Sequence, residues 1–309
     1  MFYKIRLTDI KPGKPVSALV VLTSSESKRL VAKGVAALPE VRQALQEGFV
    51  IIGRGTTNAF VAEELTGGKI ENKGHYAAGF IVDGELSATT VDKLMPVIVL
   101  RDGKRVSISP ADALREFGEK DVSIKGASAI DADGNVAVLA AGPDAGTIGG
   151  ILPTVLARHS YLIAPVGMEK MVPSVPEACK AMGIFHFKYS TGLPTALVTM
   201  PSALAVTEVQ AFEVLTGVKA VAVAGGGIAG SEGATVLSLT GEANQIEKAM
   251  ALVKSIKGEP PVGRPSSRVN PAAANFDYDA MAQWKLQAED AGYPLPEFLL
   301  RDRSKRGHH

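Results

Sequence analysis

Residues 49–65, FVIIGRGTTNAFVAEEL, constrain the fold more than any other stretch. An apolar run, Phe49 to Ile52, meets Gly53-Arg54-Gly55-Thr56-Thr57-Asn58, after which Phe60, Val61 and Leu65 recur on one side. This pattern predicts a strand, a tight glycine turn and the start of a helix. Such a turn aims backbone N–H groups and the positive end of a helix dipole at one point, where small anions bind, phosphate above all. Thr56 and Thr57 add hydroxyl donors, and Asn58 suits the N-cap. The motif is neither GxGxxG nor a Walker loop, which needs Lys before Ser/Thr. The plainer alternative is a βα turn in which glycine serves the backbone alone.

The remaining chain alternates strands and helices. Strand patterns fall at 2–8, 18–23, 77–86, 97–100, 122–126 and 161–167, with VAVLA after the turn at 131–135. Helical patterns fall at 25–47, broken at Pro39 with Ser25 as a cap, at 110–117 and at 145–158. That order implies βαβ units and an open, mostly parallel sheet flanked by helices, an α/β fold spanning residues 1–190. From about 195 the order is a strand (TALVTM), a helix at 203–216, two strands around Gly225-Gly226-Gly227, and a helix at 243–257. This is most of a ferredoxin-like split βαβ, a smaller α+β domain at 191–258. Residues 259–309 begin rich in Pro, Gly, Ser and Arg and then regain helical character around Met281, Trp284 and Leu286. They read as a C-terminal arm that docks on the body or on a second subunit, so a homo-oligomer is expected.

Composition excludes several classes of function. The 33 Lys+Arg and 32 Asp+Glu leave a net charge of +1, no footprint for nucleic acid. The basic residues of the terminus, Arg301 to Arg306, read as solvated chain, and the final His308-His309 as a tag. A single cysteine, Cys179, excludes an internal disulfide framework and reads as a structural thiol. Residues 1–7 alternate like a strand rather than a signal segment, and no run reaches the ~18 apolar residues of a membrane span. A cytoplasmic protein without membrane association is expected.

Two stretches carry a resemblance. Residues 26–65, ESKRLVAKGVAALPEVRQALQEGFVIIGRGTTNAFVAEEL, resemble the opening of the sugar-phosphate-sensing domain of DeoR-type regulators. Residues 123–166, SIKGASAIDADGNVAVLAAGPDAGTIGGILPTVLARHSYLIAPV, resemble its later part. The same pattern runs through ribose-5-phosphate isomerases, glucosamine-6-phosphate deaminases, coenzyme A transferases and initiation-factor-2B-like isomerases. The resemblance covers about residues 20–170 and implies a ligand at the carboxyl ends of the strands. Gly53, Gly55, Thr56 and Thr57 then match the phosphate-cradling turn, and Gly126, Ala127 and Asp131 the second motif. The departures bear on chemistry. Too few residues precede the sheet for a helix-turn-helix. The isomerases' Asp-Gly-Ala-Asp run reads here Lys125-Gly126-Ala127-Ser128, and their Lys-Gly-Gly-Gly run has no counterpart in the first domain. Ser231-Glu232-Gly233-Ala234 has the look of the transferases' glutamate but lies in the second domain.

Lys125 ends an apolar strand at the expected ligand edge, where it can hold a phosphate or serve as a base; the alternative is a solvated strand end. Asp131 is a candidate partner for a sugar hydroxyl, while Asp133-Gly134 is ordinary turn chemistry. Residues 141–150, AGPDAGTIGG, form a second glycine-rich lead into a helix. There Gly142, Gly146 and Thr147, with Asp144, can face the first turn; the alternative is close helix–sheet packing. His159 reads as a helix cap, His75 as a lid residue and His186 as solvent-facing. Glu169-Lys170, past a strand end, reads as a solvated loop or an acid–base pair. No metal-ligand spacing and no nucleophile triad occur. The sequence thus points to binding of a small phosphorylated or anionic metabolite, with isomerase- or transferase-type chemistry, and implies neither cofactor nor metal. The rival is a non-catalytic regulatory or assembly subunit.

Overall fold

The computed structural model describes residues 1–5, 15–142, 144–187 and 190–269. The helical segment expected around Met281, Trp284 and Leu286, and most of the arm at 259–309, lie outside the described residues. The fold is mixed α/β. Its main sheet has six strands in the order Leu204–Val206, Tyr161–Pro165, Val122–Ile124, Phe49–Ile52, Ile98–Arg101, Lys104–Val106. The first four run parallel, and the last two are an antiparallel hairpin on the edge.

Strand alternation sends side chains to two cores. Val50 and Ile52 face the helices Ser24–Ala37, Pro39–Glu47 and Thr56–Thr66, meeting Val31, Val41 and Phe60. Phe49 and Ile51 face the helices Pro110–Glu116 and Gly146–Arg158, meeting Leu114, Ile148 and Ile151. Helices therefore cover both faces, as a sheet with a parallel centre requires. Because Phe49–Ile52, Val122–Ile124 and Tyr161–Pro165 are parallel, their carboxyl ends and the loops after them meet at one edge.

Two sequence expectations change. The helix expected at 203–216 starts only at Glu208; Leu204–Val206 is a strand of the main sheet. Thr207 and Gln210 form a capping box that sets this start. The strand Ala196–Thr199 does not join the later hairpin but pairs with Val136–Ala140. The hairpin strands Lys219–Gly226 and Ala234–Gly241 instead take Val16–Leu22 as third strand, antiparallel to Ala234–Gly241. So the strands of 191–258 do not close a ferredoxin-like sheet among themselves, and pairings cross residue 190. The inner face of this three-stranded sheet packs Val20, Leu22, Leu237 and Leu239 against Leu30, Phe212 and Val253. At Gly34 a Cβ would lie 2.7 Å from Ala211 Cβ, so glycine lets the helices Ser24–Ala37 and Glu208–Thr216 touch.

The 77–86 segment is two strands, Gly79–Val82 and Glu85–Thr89. Their turn, Asp83-Gly84, has positive φ at both residues (53° and 77°), the twist-matched geometry that Asp-Gly favours. Arg268–Val269 adds to Glu85–Thr89 as a third strand. Among the described residues no helix is long and apolar enough to cross a membrane.

Candidate functional site

The glycine turn forms where the sequence places it. Gly53 N–H donates to Ile124 C=O at 2.8 Å, tying the turn to the neighbouring strand. Gly55 is the N-cap of Thr56–Thr66 and, among the described residues, no side chain caps that helix, so its first N–H groups stay available. Asn58 is not the cap. Fully buried, its Nδ2 donates to Gly53 C=O (2.6 Å) and Ile124 C=O (3.1 Å), bracing the turn from behind. Among the described residues its Oδ1 has no partner, and it faces Gly126, where a Cβ would stand 3.2 Å away.

The second glycine loop does face the first. A Cβ at residue 53 would lie 3.0 Å from Lys125 Cδ and 3.5 Å from Thr147 Cγ2, so both loops and the lysine converge. Ala145 and Gly146, both left-handed (φ 58° and 56°), turn the chain into Gly146–Arg158. The loops open on a cleft of about 1560 Å³. Of the expected ligand residues, Gly55, Thr56, Thr57, Gly126, Ala127, Gly142, Gly146 and Thr147 line it, as does Lys125.

Lys125 is 9% exposed, and its Nζ donates to Arg54 C=O at 2.9 Å. Burial, then the charges of Lys170 and Arg54, hold its pKa down at about 8. Lys170, whose Nζ donates to Ala127 C=O at 3.0 Å, is also held at about 8, first by burial and then by Lys28. Arg54 lines the cleft beside them, its Nε on Met95 C=O at 2.8 Å. Carboxylates share the cleft: Glu26, Asp144, Glu169, Glu232 and Glu259 line it, and Glu169 and Glu208 act on Lys170 in the raising direction. Glu169 accepts from Lys28 Nζ at 2.9 Å; burial pushes its pKa up, but Lys28 and Lys170 outweigh that and keep it low. Glu208 is fully buried and its pKa is raised by that burial; it accepts from Met168 N–H at 3.0 Å.

Lys170, Lys28 and Arg54 are the residues sequence reasoning missed or misplaced. The solvated-loop reading of Glu169-Lys170 gives way because the start of Ser24–Ala37 and the 227–233 turn close over it; a Cβ at Gly233 would lie 2.8 Å from Glu169 Oε2. That same turn brings Glu232 to the cleft, where its Oε2 accepts from Gly230 N–H.

Asp131 stands apart and is not among the lining residues. Its carboxylate accepts from the N–H groups of Asp133, Asn135 and Val175 and from Asn135 Nδ2, at 2.9 to 3.1 Å. Those bonds outweigh burial and lower its pKa. A turn-holding role accounts for all of its bonds. His75 Nε2 lies 3.0 Å from Ser266 Oγ, pinning the segment before Arg268–Val269 rather than the cleft. His159 is the left-handed cap of Gly146–Arg158. Cys179 is half-buried and its thiol pKa is raised by burial, as for a structural cysteine. Among the described residues no three His, Cys, Asp or Glu side chains are grouped to hold a metal ion.

No protein-family model, curated protein or solved structure matches this chain.

Proposed function

We propose that this protein binds a phosphorylated or otherwise anionic metabolite between its two glycine loops, with Lys125 and Lys170 as the residues that hold the charge. One observation carries the reading. Two lysines and an arginine are gathered at one end of a cleft, and each lysine ammonium donates only to a backbone carbonyl among its described bonds. Cations that repel one another in a half-dry site are costly until an anion joins them. The uncapped N-terminus of Thr56–Thr66 adds N–H donors and a favourable dipole. A lysine near pKa 8 also exchanges protons close to neutral pH, which suits the proton transfers of isomerase-type chemistry. In this reading the metabolite-binding unit is centred on 1–190, and 191–258 adds a strand to its sheet and the 227–233 turn to its cleft.

The test is calorimetric titration of the whole chain with inorganic phosphate and ribose 5-phosphate. Lys125→Met is expected to weaken binding roughly tenfold or more, the scale of a charged hydrogen bond of ~1.5–3 kcal/mol. The same variant is expected to melt no lower without ligand, since a buried cation is replaced by an apolar chain of similar length. Unchanged affinity in the variant, or no binding of either anion to the parent, rejects the reading.

A second reading, an assembly subunit, draws on the outer face of the three-stranded sheet. Leu19 (69% exposed), Val21 (48%), Val221 (47%) and Val223 (53%) present there an apolar surface of the kind that marks interfaces. Static light scattering is expected to show a homo-oligomer, and Leu19→Lys with Val221→Lys to shift it toward monomer; a monomeric parent ends that reading.

A further inference from the structure

The cleft is divided by chemistry. Its charged lining residues sit on the loops around the glycine turns, the start of Ser24–Ala37, the turn after Tyr161–Pro165, the 227–233 turn and Glu259; the carboxylates Glu26, Asp144, Glu169, Glu232 and Glu259 stand there with Lys28, Arg54, Lys125 and Lys170. The wall formed by 78–97, 109–114, 138–142 and 193–195 contributes no charged side chain to the lining. Phe80, Leu86 and Leu94 come from the hairpin side, Leu114, Val138 and Leu193 from the other. Some of this wall is open to water: Ile81 is 69% exposed and Val91 44%. At about 1560 Å³ the cleft exceeds the ~300–1,000 Å³ of ordinary small-molecule sites. An oxyanion or a pentose phosphate would occupy the cationic end and leave the apolar wall wet.

We infer that the ligand is a single-chain anionic amphiphile: a phosphate or carboxylate head on an alkyl or acyl chain, taken up free from solution. The head sits on Lys125, Lys170, Arg54 and the N–H groups of the glycine turn. The chain runs along the apolar wall, where each buried methylene adds transfer free energy that a polar sugar cannot supply. This rests on the anion reading above and narrows it to a ligand class.

Titration of the whole chain with methyl, hexyl, octyl and decyl phosphate below their micellar concentrations tests it. Affinity is expected to rise with chain length, by up to about fourfold per methylene, the equivalent of ~0.8 kcal/mol. Octanoate is expected to follow octyl phosphate, and octanol, lacking the head, to bind far more weakly. Phe80→Asp, which places a charge on the wall, is expected to flatten the dependence so that octyl and methyl phosphate bind alike. Equal affinities of methyl and decyl phosphate overturn this inference and leave the anion site standing. Absence of binding for every phosphate, inorganic phosphate included, overturns both. Sedimentation with vesicles of phosphatidic acid and phosphatidylcholine, without binding of monomeric octyl phosphate, would place the ligand in a membrane and overturn free uptake.

Discussion

Replacement of Arg29 by alanine is expected to lower the unfolding free energy by about 3–5 kcal/mol, the scale on which removing one partner of a largely buried ion pair destabilises. Its guanidinium, 14% exposed, meets Glu63 at 2.6 Å, Glu64 at 2.9 Å and Glu259 at 2.8 Å. It also lies 4.8 Å from the centre of the Phe60 ring. Without it, three carboxylates converge with only Lys73, on Glu63, and Lys33, on Glu64. Glu259 belongs to the stretch 258–262 that lines the cleft, so the same variant is expected to loosen that wall. Urea unfolding followed by circular dichroism measures the loss, with an unchanged m-value confirming that the unfolded reference is the same. A loss below about 1 kcal/mol would class these contacts with ordinary surface pairs.

The parts legible in the sequence are those written locally. A four-residue apolar run before Gly-Arg-Gly-Thr-Thr allows little but a strand and a βα turn, and the structure has it. The turn at Asp102-Gly103 is of this local kind, with positive φ at both residues; Asp83-Gly84 has the same geometry, but 77–86 reads as one apolar-alternating strand, and that reading misses the turn within it. Leu204-Ala205-Val206 fits both the strand and the helix period, and its length alone does not decide. The Thr207-x-x-Gln210 box was the sign that the helix starts later. The pairing of Val16–Leu22 with Ala234–Gly241 joins chain ends whose separation no local pattern spans. Lys170 was illegible for the same reason. Its local run, Met168-Glu169-Lys170-Met171, does not announce a buried charge, and the distant charges that act on it, Lys28 and Glu208, come from other parts of the chain. Asp131 shows the converse: a match to a motif position whose bonds all go to its own turn and to Val175.

The lysine pair makes both stability and binding depend on alkaline pH, in opposite directions. Folding lowers the pKa of Lys125 and Lys170 from 10.5 to about 8. Between those values the unfolded chain binds more protons than the folded one, so stability rises with pH there. Below about 8 both lysines are charged in either state and the full penalty of their burial is present. The ligand-free protein is therefore expected to melt higher at pH 9.5 than at pH 7.5, until other groups titrate. A bound anion needs the charged forms, so its affinity is expected to be highest below pH 8. Above that it falls by about tenfold per pH unit for each lysine, roughly 10²–10³ in all by pH 9.5. Of the carboxylates facing the pair, Glu169 is held low by Lys28 and Lys170, and burial raises the pKa of Glu208. Lys125→Met should halve the logarithmic slope of affinity against pH, because one of the two titrating cations is gone. Differential scanning calorimetry and phosphate titration across pH 7–10 read both effects. Affinity that stays level through pH 8–9.5 in the parent would mean that neither lysine holds the anion. Affinity that falls equally steeply in Lys125→Met would move the whole effect to Lys170.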